Sequence, residues 1–184
     1  MLRVMEGRAW ILAVLACVAC APPGSEGSEE AGVAAEAETT EAAPPAQPAS
    51  PEAEAVLAAV ETVLQAINSA DSDLARTVVP ADAQVVAVRV DARSAIAGED
   101  FASGIGDPEQ GFVERMWDPE VRIQGPVATV WAPYDFYIHG TFSHCGVDTF
   151  QLIRDGDAWK VQSLVYNVLQ PPECDTHPEG PPSA

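Results

Sequence analysis

Apolar residues recur along the chain with two different periods. Val56, Leu57, Val60, Val63, Leu64 and Ile67 fall three and four positions apart and make one stripe of an amphipathic helix. Ser50 supplies an N-cap, Pro51 suits the first helical position, and Glu52 and Glu54 favour the positive end of the helix dipole. Asn68 and Ser69 end this helix. Asp71 caps a second, short helix that carries Leu74, ends near Thr77 and is stopped by Pro80. Beyond Pro80 the pattern changes. Residues 84–89 form a short β-branched strand. Residues 93–109 read as irregular around Gly98, Gly104, Gly106 and Pro108, with a short helix over 98–103. Residues 112–117 and 121–123 read as one strand interrupted at Asp118-Pro119. A turn at Gln124-Gly125-Pro126 leads to a long strand over 127–139, and Gly140 turns it into a strand over 141–153. Asp155-Gly156-Asp157 is a hairpin turn before the last strand, 159–169. Helices first and antiparallel strands after predict an α+β domain, with the helices packed on one face of a curved, mostly antiparallel sheet.

The two ends of the chain lack these periods. Arg3 and Arg8 precede an apolar run over residues 9–16, which is too short for a membrane-spanning helix of about 20 residues and suits a signal peptide. The run leads into Val14-Leu15-Ala16-Cys17 and then Val18-Ala19-Cys20. Both resemble a bacterial lipobox, in which small residues precede a cysteine that is lipidated and becomes the new N-terminus. Cys20 gives the longer apolar region and directly precedes the following segment, so it is favoured for lipidation; Cys17 has the better residue three positions before it. Ordinary signal cleavage is the alternative. The Cys-x-x-Cys spacing does not read as a redox or metal motif, because no βαβ pattern surrounds it.

Residues 21–50 are mostly Ala, Glu, Pro, Gly, Ser and Thr, with Val33 as the only large aliphatic residue. So little apolar surface cannot offset the entropy of ordering, which predicts a disordered acidic tether, stiffened at its end by Pro44, Pro45, Pro48 and Pro51. Residues 175–184, with Pro178, Pro181 and Pro182, read as a flexible tail. The expected organisation is therefore a signal peptide over 1–20, a tether over 21–50, a domain over 51–174 and a tail over 175–184.

Charge narrows the function classes. The chain carries 28 acidic against 9 basic residues, a formal net charge of −19. It has little positive charge with which to displace phosphate counterions, so nucleic acid is excluded as an expected partner. Membrane attachment is expected through the lipid anchor, with the domain facing the periplasm or the cell exterior. In that oxidising setting Cys145 and Cys174 are expected to pair. Counting register from Gly156 places Cys145 opposite roughly Asn167, so Cys174 must fold back to reach it. Such a bridge closes a loop of about 30 residues and stabilises by roughly 3–4 kcal/mol on the chain-entropy model. The rival reading is a buried free thiol at Cys145 with Cys174 in the tail.

Three stretches carry a family resemblance. They are Val127-Ala-Thr-Val-Trp131-Ala-Pro-Tyr134-Asp-Phe136-Tyr137, then Ser143-His144-Cys145-Gly146-Val147-Asp148-Thr-Phe150-Gln-Leu152, then Gly156-Asp-Ala-Trp159-Lys160-Val161. Together they resemble the nuclear transport factor 2-like (NTF2-like) superfamily, closest to its SnoaL-like and lumazine-binding-like branch. The resemblance covers essentially residues 52–174 and implies an NTF2-like cone. It implies no single activity, since the superfamily holds isomerases, dehydratases, cyclases and non-catalytic binding or assembly modules. Its enzymes use an Asp, or a His–Asp pair, as a base in an apolar cone. Many relatives pair through the outer face of the sheet, which implies a homodimer.

Strand parity then selects candidate residues. His144, Gly146, Asp148, Phe150 and Leu152 share one face, and Trp131, Asp135, Tyr137 and His139 share one face of the preceding strand. His144 and Asp148 stand about 13 Å apart along their strand, too far for a direct hydrogen bond. Each needs a partner such as Tyr137, Arg115 or Tyr166. The catalytic candidates are His144 and Asp148, and the ligand-binding candidates are Arg115, Trp131, Tyr137, His144, Asp148 and Tyr166. The alternative is that His144 and Asp148 are satisfied polar residues at the sheet bend near Gly146. No metal is expected, because His144 and Cys145 point to opposite faces and no His-x-x-x-His helix is present. No cofactor is expected, since there is no glycine-rich phosphate loop, and no Gly-x-Ser-x-Gly elbow is present. The favoured reading is a membrane-tethered module binding a small apolar molecule or acting in assembly. The alternative is an isomerase-, dehydratase- or cyclase-like enzyme with His144 or Asp148 as general base.

Overall fold

A computed structural model describes residues 50–182 of the chain. The expected signal peptide with Cys17 and Cys20, and the expected tether up to residue 49, lie outside the described residues.

Helix α1 (Pro51–Ser69) begins where its capping residues predict: the Ser50 hydroxyl accepts from the Ala53 N–H at 3.1 Å. It ends at Ala70, whose left-handed conformation turns its N–H back to the Ala66 and Ile67 carbonyls. Helix α2 (Ser72–Val78) starts at Asp71, whose carboxylate accepts from the Leu74 N–H. Strands β1 (Gln84–Val88) and β2 (Arg93–Ala97) precede helix α3 (Gly98–Ile105) and a 3-10 turn at Pro108–Gln110. Then come β3 (Phe112–Met116), β4 (Glu120–Gln124), β5 (Val127–Ile138), β6 (Thr141–Asp155) and β7 (Ala158–Asn167).

The strands form one unclosed sheet in the order β2-β1-β7-β6-β5-β3, with β4 also paired to β5. Every pairing is antiparallel except β1 with β7, which is parallel. Bulges between Phe136 and Tyr137 and between Gln151 and Leu152 bend the two longest pairings. Helix α1 lays Val56, Val60, Val63 and Ile67 on the inner face, against Val130, Phe150, Leu152, Trp159, Val161 and Leu164.

Three local expectations are corrected. Strand β2 lies where residues 93–109 read as irregular; four of its five residues are exposed, so an edge strand without a buried face left no apolar period. Residues 112–123 are two strands, because Asp118 adopts a positive φ of 46° and turns the chain. They pair with opposite ends of β5, and Pro133, which has no N–H to donate, sits at the gap between them. The β6–β7 register is also longer than counted. The turn has two residues and the bulge adds one more, so Cys145 bridges to Leu169 rather than Asn167.

The Cys145–Cys174 disulfide is present, with Cα atoms 5.8 Å apart. Beyond it the chain crosses the outer sheet face and is held there by polar contacts. The His177 N–H donates to Asp135 Oδ2 at 2.9 Å, and Arg115 Nη1 donates to the Gly180 carbonyl at 2.7 Å. The His177 ring meets Trp117 edge-on. A proline-rich tail without periodicity gives no sign of such anchoring, because the contacts are polar and each involves only one residue.

Candidate functional site

Between the helices and the inner sheet face lies a cavity of about 300 Å³. Ile67 of α1, Phe101, Gly104 and Ile105 of α3, and Ile96 of β2 close it on one side. Phe112, Tyr134, Phe136 and Leu164 make the apolar wall on the sheet. Two carboxyls enter this wall, Glu114 from β3 and Asp148 from β6, with 8% and 1% of their surface exposed.

Local sequence sets both acids. In β3 the inner positions are Phe112, Glu114 and Met116, so alternation alone turns Glu114 inward. The strand is an edge, and its free backbone groups at Glu114 are met by one side chain of α1. Asn68 Oδ1 accepts from the Glu114 N–H at 2.7 Å, and Asn68 Nδ2 donates to its carbonyl at 3.0 Å. In β6, Asp148 lies between Ala132 and Tyr166 in register, and the small Ala132 leaves room beside it. Gly146 permits a second close approach. A Cβ there would stand 2.3 Å from the Asn167 carbonyl, which accepts the Tyr134 hydroxyl at 2.7 Å.

The two carboxyls are held against each other. Burial pushes Glu114 up to about 7, opposed by a hydrogen bond with Asp148. Burial also pushes Asp148 well above the usual carboxylate range, and the charge of Glu114 and the bond between them push it further. The pair therefore retains a proton near neutral pH. Asp148 Oδ2 is buried and has no hydrogen-bond partner among the described residues. The Tyr134 and Tyr166 phenols are raised first by burial, then by the neighbouring carboxyls, and stay neutral. His144 is pushed down to about 4, by burial and then by Arg89. Its ring stacks on Phe136 with centroids 5.0 Å apart, and Ser143 Oγ lies 3.0 Å from Nδ1. It is a neutral wall residue at neutral pH.

His144, Asp148 and Tyr166 thus line the cavity together, whereas Arg115, Trp131 and Tyr137 lie off it. The cavity takes the even positions of β5, Tyr134, Phe136 and Ile138. Trp131 is 44% exposed and lines a shallow recess with Glu120, Arg122, Thr129 and Thr149. Arg115 lies over the Tyr137 ring at 5.4 Å and makes a two-pronged ion pair with Asp135, Nε to Oδ1 at 3.0 Å and Nη2 to Oδ2 at 2.6 Å. The site candidates read from the sequence do not include Glu114, Tyr134 or Phe136. Both parities of β5 carry aromatics, so its inner face was not legible, but alternation in β3 contains the signal for Glu114. Among the described residues no group of three or more His, Cys, Asp or Glu side chains is placed to hold a metal ion.

A bent, mostly antiparallel sheet with helices on its inner face and a cavity between them defines the class as an α+β cone. Solved structures share it. An NTF2-like protein from Cytophaga hutchinsonii aligns with a TM-score of 0.55 and 13% identity, over 63% of this chain and 97% of its own. An NTF2-like superfamily protein from Salmonella enterica aligns with a TM-score of 0.51 and 12% identity, over 62% and 89%. A candidate dehydratase of the NTF2-like family from Streptomyces avermitilis aligns with a TM-score of 0.53 and 18% identity, over 64% and 96%. The fold of this protein is the NTF2-like α+β fold. No family model matches the sequence, and no curated protein matches it.

Proposed function

We propose that the domain binds a small, largely apolar molecule in the cavity, with the Glu114–Asp148 pair engaging its polar group. Asp148 Oδ2 carries this reading. It is a buried oxygen without a partner among the described residues, on a side chain that lines a mainly apolar space of about 300 Å³. Leaving a buried acceptor unpaired costs about 1–3 kcal/mol, which a ligand donor would remove. An apolar pocket with a few convergent polar groups is the usual form of a small-molecule site. The full chain, purified and then denatured, should release a bound small molecule detectable by mass spectrometry. If it releases none, and no apolar probe raises its melting temperature, the reading is wrong.

One observation favours a second reading, general acid–base chemistry of the isomerase or dehydratase kind. Glu114 is poised at about 7 beside a second raised carboxyl, which suits proton transfer at neutral pH. The name of the Streptomyces avermitilis protein agrees with it. In this reading the carboxyl pair replaces His144 as the base. Turnover lost in Asp148→Asn with ligand retention intact would select it.

Export and lipid anchoring at Cys20, or at Cys17, complete the proposal. The Cys145–Cys174 bridge suits an oxidising compartment. Among the described residues no helix is long and apolar enough to cross a membrane. Cells fed a fatty-acid analogue should yield labelled protein, and the double variant Cys17→Ala, Cys20→Ala should lose both label and membrane attachment. A homodimer through the outer sheet face is part of the same proposal. Trp131 and Val165, 44% and 37% exposed, lie on that face. Light scattering should give twice the chain mass, and Trp131→Lys should give a monomer.

A further inference from the structure

We propose that the molecule taken by the cavity is an organic cation, an amine or quaternary ammonium on an apolar body. This rests on the binding reading above and narrows it by charge. The first argument is the polarity of the lining. Three carboxyls face the cavity, Asp100, Glu114 and Asp148, and no lysine or arginine among the described residues does. The second is Asp148, a lining carboxyl that is 1% exposed and whose Oδ2 finds no donor among the described residues. An ionised carboxyl can only accept hydrogen bonds, so its natural complement is a donor, and in a dry site a charged one. The third is aromatic. Five of the lining side chains are Phe or Tyr, among them Phe112, Tyr134 and Tyr166, whose ring faces attract a desolvated cation.

Burying two carboxyls side by side is unfavourable unless a positive charge lies between them. In this domain a proton takes that place, since no cation is among the groups that set either acid. An ammonium group can replace the proton and leave both carboxyls ionised. Hard divalent ions are a poorer fit, because they need six or more oxygen ligands and the wall is mainly apolar. A neutral or anionic ligand would leave the acid pair dependent on its shared proton.

The chemistry fixes a pH dependence as well. The amine stays protonated below about pH 10, so only the protein titrates over the working range. Of the groups facing the acid pair, Tyr134 and Tyr166 stay neutral, and His144 is neutral above about 4. Arg89 acts on His144 and the two tyrosines. Asp100 lies at the α3 side of the cavity. Ionisation of Glu114 and Asp148 therefore governs cation affinity, which rises with pH.

The test uses three probes with one skeleton, phenylpropylamine, phenylpropanol and phenylpropanoate, titrated calorimetrically into the full chain. The amine should bind about tenfold tighter than the alcohol at about pH 8.5, and this preference should shrink toward about pH 5.5. The carboxylate should bind most weakly. Asp148→Asn and Glu114→Gln, checked for folding by thermal melts, should abolish the preference while retaining the alcohol. Equal binding of amine and alcohol by the unaltered chain overturns the cation proposal and leaves the binding reading intact. So does an amine preference that survives both substitutions. If none of the probes binds, both readings fall.

Discussion

Two aspartates, Asp135 on the outer face of the sheet and Asp148 on the inner face, are equally buried and differently treated. Asp135 is 0% exposed and Asp148 is 1% exposed. Asp135 accepts two bonds from Arg115 and one from the His177 N–H, so its charge is fully compensated. Asp148 faces a second carboxyl and keeps one oxygen with no partner. One is a structural rivet that fastens the C-terminal segment; the other is a polar group held in readiness. Burial alone does not separate them. What separates them is whether the protein itself supplies the compensating donors.

The largest effect follows directly. Asp135→Asn breaks a buried ion pair and leaves Arg115 uncompensated, so it should destabilise the domain by about 3 kcal/mol. Asp148→Asn replaces a carboxyl that shares a proton with Glu114 by an amide that can donate to Glu114. Its stability should change by less than about 1 kcal/mol, or rise. Urea denaturation of the two variants measures both. Equal losses would erase the distinction between the faces.

How far each acid was legible in the sequence follows from the same distinction. Alternation in β6 placed His144 and Asp148 on one face without further information. The antiparallel hairpins were equally plain, because each strand that buries one face shows a period of two. The pairing of Asp148 with Glu114 was not legible. It depends on β3 and β6 both turning an acid inward across the intervening β5, and non-local register is not written in either strand. Nor could sequence assign Arg115 and Tyr137, since β5 has apolar and aromatic residues on both faces. The contacts of the tail were not legible for a different reason. Its anchors, His177 and Gly180, act through a backbone N–H, which every residue but proline has, and a backbone carbonyl, which every residue has.

A smaller effect concerns pH. Glu114 is raised from 4.5 to about 7, so its unfolded form ionises first. Its stabilising contribution is full below about 4.5 and is lost as pH rises through about 7; Asp148 acts in the same direction. His144 is lowered from 6.5 to about 4, so its unfolded form takes the proton first and stability is lost as pH falls through that interval. The two slopes oppose each other in the unaltered domain between about 4.5 and 6.5. Substitution should separate them. The double variant Glu114→Gln, Asp148→Asn should leave a domain that gains stability with rising pH over that interval, and His144→Gln one that loses it. Melting temperatures across the range decide. Parallel curves for both variants would mean that neither group is perturbed by its face of the sheet.

The smallest effect on stability tests the cavity itself. Gly104 lies in α3, lines the cavity and has no atom within 4 Å of the place a Cβ would occupy. Its backbone is helical, so an added side chain meets no strain. Glycine in a helix costs roughly 0.5–1 kcal/mol relative to a good helix former, and Gly104→Leu should recover part of that. The leucine side chain would then occupy space that the proposed ligand needs. The variant should therefore melt slightly higher than the unaltered chain and retain less small molecule, while the outer face with its Arg115–Asp135 pair is untouched. Higher stability with undiminished ligand retention would place the ligand away from α3 and the Asp148 side of the sheet.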